Sequence, residues 1–398
     1  MTRSNFSQSM AFSIRGVGLV ELMVGMVVAL VSMIVIMQVF AQSEGQKRTS
    51  TSGSDAQTTG AVALYSIERD ARLAGYGLAN TGLLNCPAIT VWRQSRNAAE
   101  QLRFAPFEIN PPAASVLPGD ANTDVIALAF GVADFFVEAV GASQVANSAA
   151  NFKSDNRAGF ATGDLIVGVQ TIAGVKQCAM HEITNVPGGQ CGNPPAGGGD
   201  VLIHNTGRYK NFGKGCTSAA AEYNRPGGIP GIAALDKANG AKLYNLGALP
   251  INIAYAIRGK NLTVCDRLLT DCTQVANFTA IANDIVSLRA VYGKDTNDDG
   301  TVDVWDRVTP TNGVQWFQVA AARIEIVARS TTKERVNPQT GVCDITTDST
   351  KPDNRTWLGQ AVAGAGIDVS DPADAEWACY RYKLFQTVVP FRNLIWRP

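Results

Sequence analysis

The chain has 398 residues, and its 34 basic and 34 acidic side chains cancel to a formal net charge of zero at pH 7. Phosphate backbones are bound by clustered Lys and Arg, and no basic run occurs, so the composition excludes direct nucleic-acid binding. Glycine is abundant (38 residues), and helical periodicity is scarce after residue 80. The bulk of the chain is therefore expected to be β-rich and loop-rich.

The first predicted element is an apolar helix from Val17 to Phe40. Its polar side chains are Glu21, Ser32 and Gln38. At about 1.5 Å per residue the helix reaches roughly 36 Å, enough to cross a hydrocarbon core of ~30 Å. Basic residues precede it and acidic ones do not, so the positive-inside rule keeps residues 1–16 in the cytoplasm and exports the remainder.

Two simpler interpretations of this segment account for less of it. A cleaved secretory signal peptide would find small residues before Gln42, but the apolar run is about twice the usual 7–15 residues and contains Glu21. An uncleaved anchor explains the length and leaves the carboxylate unexplained. An acid in a membrane segment costs about 2.5–3.5 kcal/mol, which predicts a partner and a role.

The next predicted element is an amphipathic helix within residues 61–77, preceded by a polar stretch at 41–60. That stretch is rich in Ser, Thr and Gly, so it is either a frayed continuation of the anchor or a linker. Apolar residues on one helical face are Leu64, Ile67, Ala71 and Ala74, and charged residues largely on the other are Glu68, Arg69, Asp70 and Arg72. Gly75 and Gly77 are expected to end the helix, which would lie on a sheet.

The middle of the chain alternates strand-like runs with turn clusters. Asp124–Phe130 and Asp164–Gln170 are expected to be strands, whereas Asn193–Asp200 and Asn224–Gly231 are expected to be exposed loops.

A candidate cation loop follows in the stretch DTNDDGTVDVWD. Positions 1, 3, 5, 7, 9 and 12 of a D-x-[DN]-x-[DN]-G pattern are Asp295, Asn297, Asp299, Thr301 (through its carbonyl), Asp303 and Asp306. Oxygen ligands at alternate positions suit a hard cation, so Ca²⁺ is the predicted ion. Asp306 is shorter than the usual Glu, so Asp303 is the alternative residue to close the site. The other interpretation is an acidic, solvated hairpin turn.

Eight cysteines, an even number on an exported chain, predict disulfides. Spacing suggests the pairs Cys265–Cys272 and Cys178–Cys191. The pair Cys343–Cys379 could join the closing strands. Cys86 and Cys216 are then paired by elimination. A zinc site drawn from Cys178, His181, Cys191 and His204 is disfavoured because exported thiols tend to oxidise. A hydrolase triad would need one of these two histidines, and no G-x-S-x-G elbow accompanies them, so we expect no enzymatic activity.

The stretch RGVGLVELM resembles the class III leader of type IV pilins, with a basic leader ending in Gly and Glu at the fifth position of an apolar helix. The resemblance implies that a prepilin peptidase cuts after Gly16 and leaves Val17 as an N-methylated terminus. Glu21 would then neutralise the terminal amine of a neighbouring subunit during assembly. Val17 replaces the usual Phe, and Gly18 the common Thr or Ser.

The helix IERDARLAGYG, together with 285–303, 319–330 and 380–394, resembles the PilW-type minor pilins. The implied fold is α+β and type IV pilin-like: a long amino-terminal helix, then a β-rich antiparallel domain with long disulfide-bearing loops. The implied organisation is a cleaved leader at 1–16, a transmembrane and assembly helix at 17–40, a linker and amphipathic helix at 41–80, and a periplasmic domain at 81–398. The resemblance does not extend to residues 85–280, which are interpreted as a family-variable insertion of strands and long loops.

The same resemblance implies a function in an inner-membrane initiation complex that primes pilus assembly and ends at the pilus tip. Implied partners are other minor pilins, the major pilin, the prepilin peptidase, the inner-membrane assembly platform and a tip adhesin. Twitching motility, adhesion and DNA uptake would follow indirectly. The alternatives are a type II secretion pseudopilin and a tip adhesin or binding module.

Overall fold

The computed structural model describes residues 16, 18–133, 140–144, 146, 149–193, 199–337, 339–352, 362, 366–370 and 376–395. The chain divides into two compact units, residues 1–54 and 55–398. Val17 and all of the predicted leader except Gly16 lie outside the described residues.

One helix, α1 (Leu19–Leu73), begins just after the described Gly18 and continues for 55 residues. It includes the polar stretch at 41–60, so of the two predicted alternatives the structure has the continuous helix rather than a linker. Leu19–Lys47 is long and apolar enough to cross a membrane by length and composition alone, with a mean hydropathy of 2.7. Its large apolar side chains are exposed in the isolated chain.

The last turns of α1 belong to the larger unit and pack as the periodicity predicts. Leu64, Ile67 and Ala71 are buried, and the helix ends before Gly75, whose φ of +81° suits glycine. Asp70 differs from the prediction because it is buried rather than solvated. Its Oδ2 accepts a hydrogen bond of 2.5 Å from the hydroxyl of Tyr255, which gives the carboxylate a polar partner inside the core.

Three sheets and one separate hairpin form the larger unit among the described residues. The eight-stranded sheet has the order β2-β1-β8-β7-β12-β5-β6-β9. Its strands are β1 (Ile89–Arg93), β2 (Ala98–Leu102), β5 (Val140–Ser143), β6 (Asn151–Ser154), β7 (Leu165–Ile172), β8 (Val175–Glu182), β9 (Val201–Ile203) and β12 (Lys242–Gly247). The separate hairpin consists of β10 (Arg208–Asn211) and β11 (Thr217–Ala220).

The remaining strands form a five-stranded and a four-stranded sheet. The order β15-β14-β13-β4-β3 contains β3 (Phe107–Ile109), β4 (Ile126–Phe130), β13 (Ile251–Arg258), β14 (Asn261–Asp266) and β15 (Thr279–Ala282). The order β17-β16-β18-β19 contains β16 (Ile285–Lys294), β17 (Val304–Asp306), β18 (Val319–Arg329) and β19 (Tyr382–Pro390). Short α-helices are α2 (Thr81–Leu84), α3 (Gly313–Phe317) and α4 (Arg392–Ile395), and single 3₁₀ turns occur at Phe212–Lys214, Lys237–Asn239, Val275–Asn277 and Trp377–Cys379.

Strand pairing is antiparallel throughout the described sheets except between β1 and β8, which meet in parallel at Thr90 and Ala179. The amino-terminal helix and the β-rich, antiparallel, disulfide-bearing domain therefore agree with the α+β part of the expected fold class. Two strands were also predicted from their apolar sequence runs: β4 lies within the run at 124–130, and β7 overlaps the run at 164–170.

The largest apolar core joins α1 to strands from both sides of residue 280. Phe107 and Leu128, from the range interpreted as an insertion, are fully buried in the same cluster as Ile324 and Ile326. A second core lies on the eight-stranded sheet and includes Val91, Val167 and Met180 among other buried side chains. Part of the range 85–280 is thus continuous with the core of the closing strands.

Candidate functional site

The amino-terminal segment presents the predicted assembly residue on an exposed helical turn. Gly16 and Glu21 are both exposed, and Glu21 lies in the first turn of α1. The amide of Leu22 donates a 3.1 Å hydrogen bond to the carbonyl of Gly18, the residue just before α1. A carboxylate in the first turn is favoured by the unpaired amides of the helix N-terminus, so the anion has a local reason for its position apart from any partner.

The acidic loop lies between β16 and β17, as the strand-like flanks predict. Asp295 closes the turn because its two carboxylate oxygens accept bonds from the amides of Asp298 (2.6 Å), Asp299 (3.2 Å) and Gly300 (2.9 Å). Gly300 has φ +86°, a conformation that glycine adopts without strain. The predicted turn at position 6 is therefore present.

Carboxylates at the later positions of the loop also accept local bonds. Asp299 accepts from the amide and hydroxyl of Thr301, and Asp303 Oδ2 accepts from the amide of Thr296 at 2.7 Å. The Asn297 amide nitrogen lies between two carboxylates, 3.1 Å from Asp299 Oδ2 and 3.3 Å from Asp303 Oδ1. Hydrogen bonds from Thr301 and Asn297 lower the pKa of Asp299, which keeps it anionic.

Position 12 departs from the predicted arrangement. Asp306 lies on β17 opposite Tyr292, and its carboxylate is 2.7 Å from the ammonium of Lys294. That ion pair provides Asp306 with a partner outside the loop, so the structure places Asp303, not Asp306, beside the earlier loop positions. Within the described part of the chain, no group of three or more His, Cys, Asp or Glu side chains is arranged to hold a metal ion.

Four disulfides use all eight cysteines, and two of the predicted pairs are replaced. Cys265–Cys272 is joined as the spacing suggests, and Cys343–Cys379 is joined as predicted for the closing strands. The predictions Cys178–Cys191 and Cys86–Cys216 differ from the structure, which pairs Cys86 with Cys178 and Cys191 with Cys216. The reason is the parallel contact of β1 with β8, which brings the start of β1 beside Cys178 although 92 positions separate the two cysteines.

The two histidines meet in a buried cluster rather than in a zinc site. His181 and His204 have ring centroids 4.9 Å apart, and His204 stacks on Phe152 at 4.1 Å. Both cysteines of the zinc alternative are oxidised in disulfides. Burial lowers the pKa of His204 to about 4 and lowers the pKa of His181, whose neighbouring histidine acts in the same direction. Both rings are therefore neutral at pH 7.

Sequence reasoning missed a cavity with an ionic floor. Glu108 on β3 and Arg267 after β14 are both about 2% exposed and lie 3.8 Å apart at their closest charged atoms. Glu108 is the one charged residue of β3, Arg267 lies in a turn that also contains Asp266 and Asp271, and the two are distant along the chain. No local pattern signals that the fold brings them together.

Comparison with known families gives one match. Residues 258–393 match the family model described as type IV pilus-assembly protein W, PilW. The matched range includes β14–β19, among them the segments at 285–303 and 319–330, and covers only the last part of the unassigned middle. No curated protein and no solved structure matches the chain. Over residues 258–393, about a third of its length, the chain is therefore similar to the PilW family of type IV pilus-assembly proteins.

Proposed function

We propose that the protein is a minor pilin of a type IV pilus, with a type IV pilin-like fold. In this proposal it is held in the inner membrane by α1, with residues after the anchor in the periplasm, and it ends at the pilus tip. The observation that carries the proposal is the combination of a PilW match with an amino-terminal apolar helix that contains one acid, Glu21. The protein has no catalytic step of its own; it primes polymerisation by presenting a helix to other pilins.

Charge pairing supplies the assembly step. Leader removal after Gly16 would create a cationic amine at Val17, four positions before Glu21. Two opposite charges in lipid or in a packed helical core are costly apart and tolerable together. Glu21 of one subunit therefore recruits the terminal amine of the next. The exposed apolar side chains of α1 supply the remaining contact, as expected of a helix that packs against other helices.

The test compares two Glu→Ala variants of the same helix. Glu21→Ala should be exported and processed normally but be strongly reduced in shear-isolated pili. Glu44→Ala removes another exposed carboxylate, beyond the apolar run, and should be incorporated as the wild type is. Incorporation of Glu21→Ala at the wild-type level would show that the acid has no assembly role.

Gene deletion separates the minor-pilin role from a type II pseudopilin. Loss of surface pili with normal secretion of exoproteins supports the proposal. Loss of secretion with normal piliation would assign the protein to the secretion system instead. Partners in the proposed complex are other minor pilins, the major pilin and the inner-membrane assembly platform.

Calcium binding by the loop at 295–306 is a second, separable proposal. Asp295, Asn297, Asp299 and Asp303 lie on one exposed turn, in which Asp303 accepts hydrogen bonds from Thr296 and Asn297; in this proposal Asp303 closes the site. Ca²⁺ takes six to eight oxygen ligands in flexible geometry. It could therefore take the place of the Asn297 side-chain NH₂ group, which lies between the carboxylates of Asp299 and Asp303. The bound ion would fix the turn between β16 and β17 without any contribution from Asp306.

A further inference from the structure

A second cavity, of about 430 Å³, lies where the eight-stranded sheet, the β10–β11 hairpin and the turn after β14 meet. Apolar side chains form much of its wall, among them Leu165, Pro250, Ile251 and Leu268. The volume falls in the range of pockets that enclose a small ligand or a side chain.

Two leucines at the mouth of this cavity are exposed. Leu249 is 51% and Leu269 is 73% exposed, and both line the cavity. Apolar side chains exposed together beside a cavity are typical of an interaction surface, whereas single scattered ones are not. A small molecule enclosed by the cavity would leave both leucines in water, so the mouth fits a protein surface better.

Disulfides hold the parts of the wall that lie in turns. Cys265–Cys272 closes the turn at 266–269, which supplies one side of the cavity. Cys191–Cys216 ties the turn of the β10–β11 hairpin to the loop after β8. A wall that is fixed before binding loses less conformational entropy when it binds a partner.

Three carboxylates in the wall, those of Glu182, Glu222 and Asp266, have no cationic partner among the described residues. Glu182 is buried and accepts hydrogen bonds from two side chains of β10 and from two backbone amides. Glu222 accepts hydrogen bonds from the amide and the hydroxyl of Ser95. All of these donors are neutral, so the negative charges are not balanced by them.

Asp266 has one carboxylate oxygen to spare. Its Oδ1 accepts hydrogen bonds from the amides of Leu268 (2.8 Å) and Leu269 (3.1 Å), and no described residue donates to its Oδ2. The side chain is half-buried in the cavity wall, and Oδ2 is not sealed from it. Burial raises the pKa of Asp266 and that of Glu182, so a positive charge placed in the cavity would stabilise both anions.

The two cations of the wall do not supply that charge. Arg93 lies 3.2 Å from Glu100 and donates to the carbonyls of Arg267 and Leu268, so its guanidinium is already engaged. Lys214 is exposed at the rim, where it forms no ion pair with the three carboxylates. The wall therefore keeps a net negative charge beneath an apolar mouth.

We propose that this cavity is a docking site for a lysine side chain of a partner protein. The ammonium reaches Asp266 Oδ2, and the four-carbon stem lies against Leu249 and Leu269, as lysine stems do on apolar surfaces. A glutamate would meet three carboxylates, and an aliphatic side chain would leave Oδ2 unpaired. One spare oxygen offers no bidentate site for arginine. The proposal goes beyond the assembly role of α1 and does not depend on it.

The test uses the full-length chain in detergent and acetylated, amidated pentapeptides whose central residue is Lys, Arg, norleucine or Glu between Leu and Ser flanks. Norleucine keeps the apolar stem and removes the ammonium. We expect the Lys peptide to bind at least tenfold more tightly than the norleucine and Glu peptides. Binding of no peptide at 1 mM, or equal binding of norleucine, would overturn the proposal. Tighter binding of Arg would overturn the choice of lysine.

A free amine and two mouth variants test the docking of a protein. n-Butylamine contains the lysine stem without flanks, and binding as tight as that of the Lys peptide would indicate a small-amine site instead. Leu269→Ser should weaken the Lys peptide at least fivefold. Val308→Ser removes an apolar side chain that is 69% exposed and lies outside the cavity, so it should leave binding unchanged. Equal effects of the two variants would exclude the mouth.

Asp266→Asn tests the acceptor. Asparagine keeps the shape of the side chain and an oxygen for the two backbone amides, but it removes the charge. We expect the preference for Lys over norleucine to fall at least fivefold, and an unchanged preference would overturn the role of Asp266. Because both peptides are compared on the same variant, a partly unfolded sample lowers the binding of both and leaves their ratio readable.

Discussion

Removing the disulfide between Cys86 and Cys178 should cost far more stability than removing the one between Cys265 and Cys272. The first closes a loop of 92 positions and the second a loop of 7. In the chain-entropy model these loops correspond to about 4.6 and about 2.4 kcal/mol of stabilisation at 25 °C. The difference, about 2 kcal/mol, arises in the unfolded state, where the longer loop restricts more of the chain.

The comparison is matched because all four sulfurs are in similar surroundings. Cys86 and Cys178 are 6% and 3% exposed, and Cys265 and Cys272 are both 2% exposed, so the packing lost in a Cys→Ala pair is nearly the same. Urea unfolding of each double variant in detergent, followed by tryptophan fluorescence, gives the free energy of unfolding from midpoint and slope. The Cys86→Ala, Cys178→Ala protein should unfold at clearly lower urea.

Two results would contradict this reasoning. Equal losses in the two double variants would mean that loop length does not control the effect, for example because the unfolded chain keeps structure around β1 and β8. Peptide mapping that recovered Cys178 joined to Cys191 would contradict the pairing itself. A Cys178–Cys191 disulfide would close a much shorter loop than Cys86–Cys178, so its removal would also lower the free energy of unfolding by less.

Three further predictions concern processing, pH and calcium. Intact-mass analysis should show a mature chain cut between Gly16 and Val17, and a chain retaining the leader would refute the cut. The free energy of unfolding should fall as pH drops from 6.5 towards 4, with about 3 kcal/mol of the loss coming from His204, since the unfolded state protonates this histidine before the folded state does. His204→Phe should reduce this pH dependence without abolishing it, because burial also lowers the pKa of His181. An unchanged slope would exclude His204. Millimolar Ca²⁺ should raise the melting temperature, because the bound ion adds about 2.7 kcal/mol to the free energy of unfolding at a hundredfold excess over Kd. An equal rise in the Asp295→Ala, Asp299→Ala double variant would locate the ion elsewhere.

Local patterns predict the elements whose signal lies within one turn or one strand. The periodicity around Ile67 indicates the buried face of α1, and the glycines after Leu73 indicate its end. The alternating oxygens at 295–303 indicate the turn between β16 and β17. In each case the residues that make the structure are neighbours in the chain, so the sequence contains the geometry directly.

Long-range contacts are not predictable in the same way. Helical periodicity places Asp70 on the face opposite the apolar residues. Its burial is not predictable from the helix alone, because its partner, the hydroxyl of Tyr255, comes from a strand far along the chain. Spacing pairs Cys178 with Cys191, its nearer neighbour in the chain, because no local sequence pattern indicates the parallel contact between β8 and β1. Strand order decides such partners, and the order of a sheet is fixed by packing of the whole domain rather than by any segment.

The position of the middle strands limits how a binding role for residues 85–280 can be tested. β3 and β4 form one sheet with β13 and β14; β13 ends at Arg258, where the PilW match begins, and β14 lies inside the match. A fragment containing only the middle would lose the ring contacts that Tyr292 and Phe391 make with Phe107, and with them the closing-strand part of the shared core. Exposure of such a core face makes an isolated fragment adhere without specificity. A surface-binding role is therefore to be tested on the full chain, with substitutions at exposed positions of the middle, so that loss of binding reports the surface and not loss of the fold.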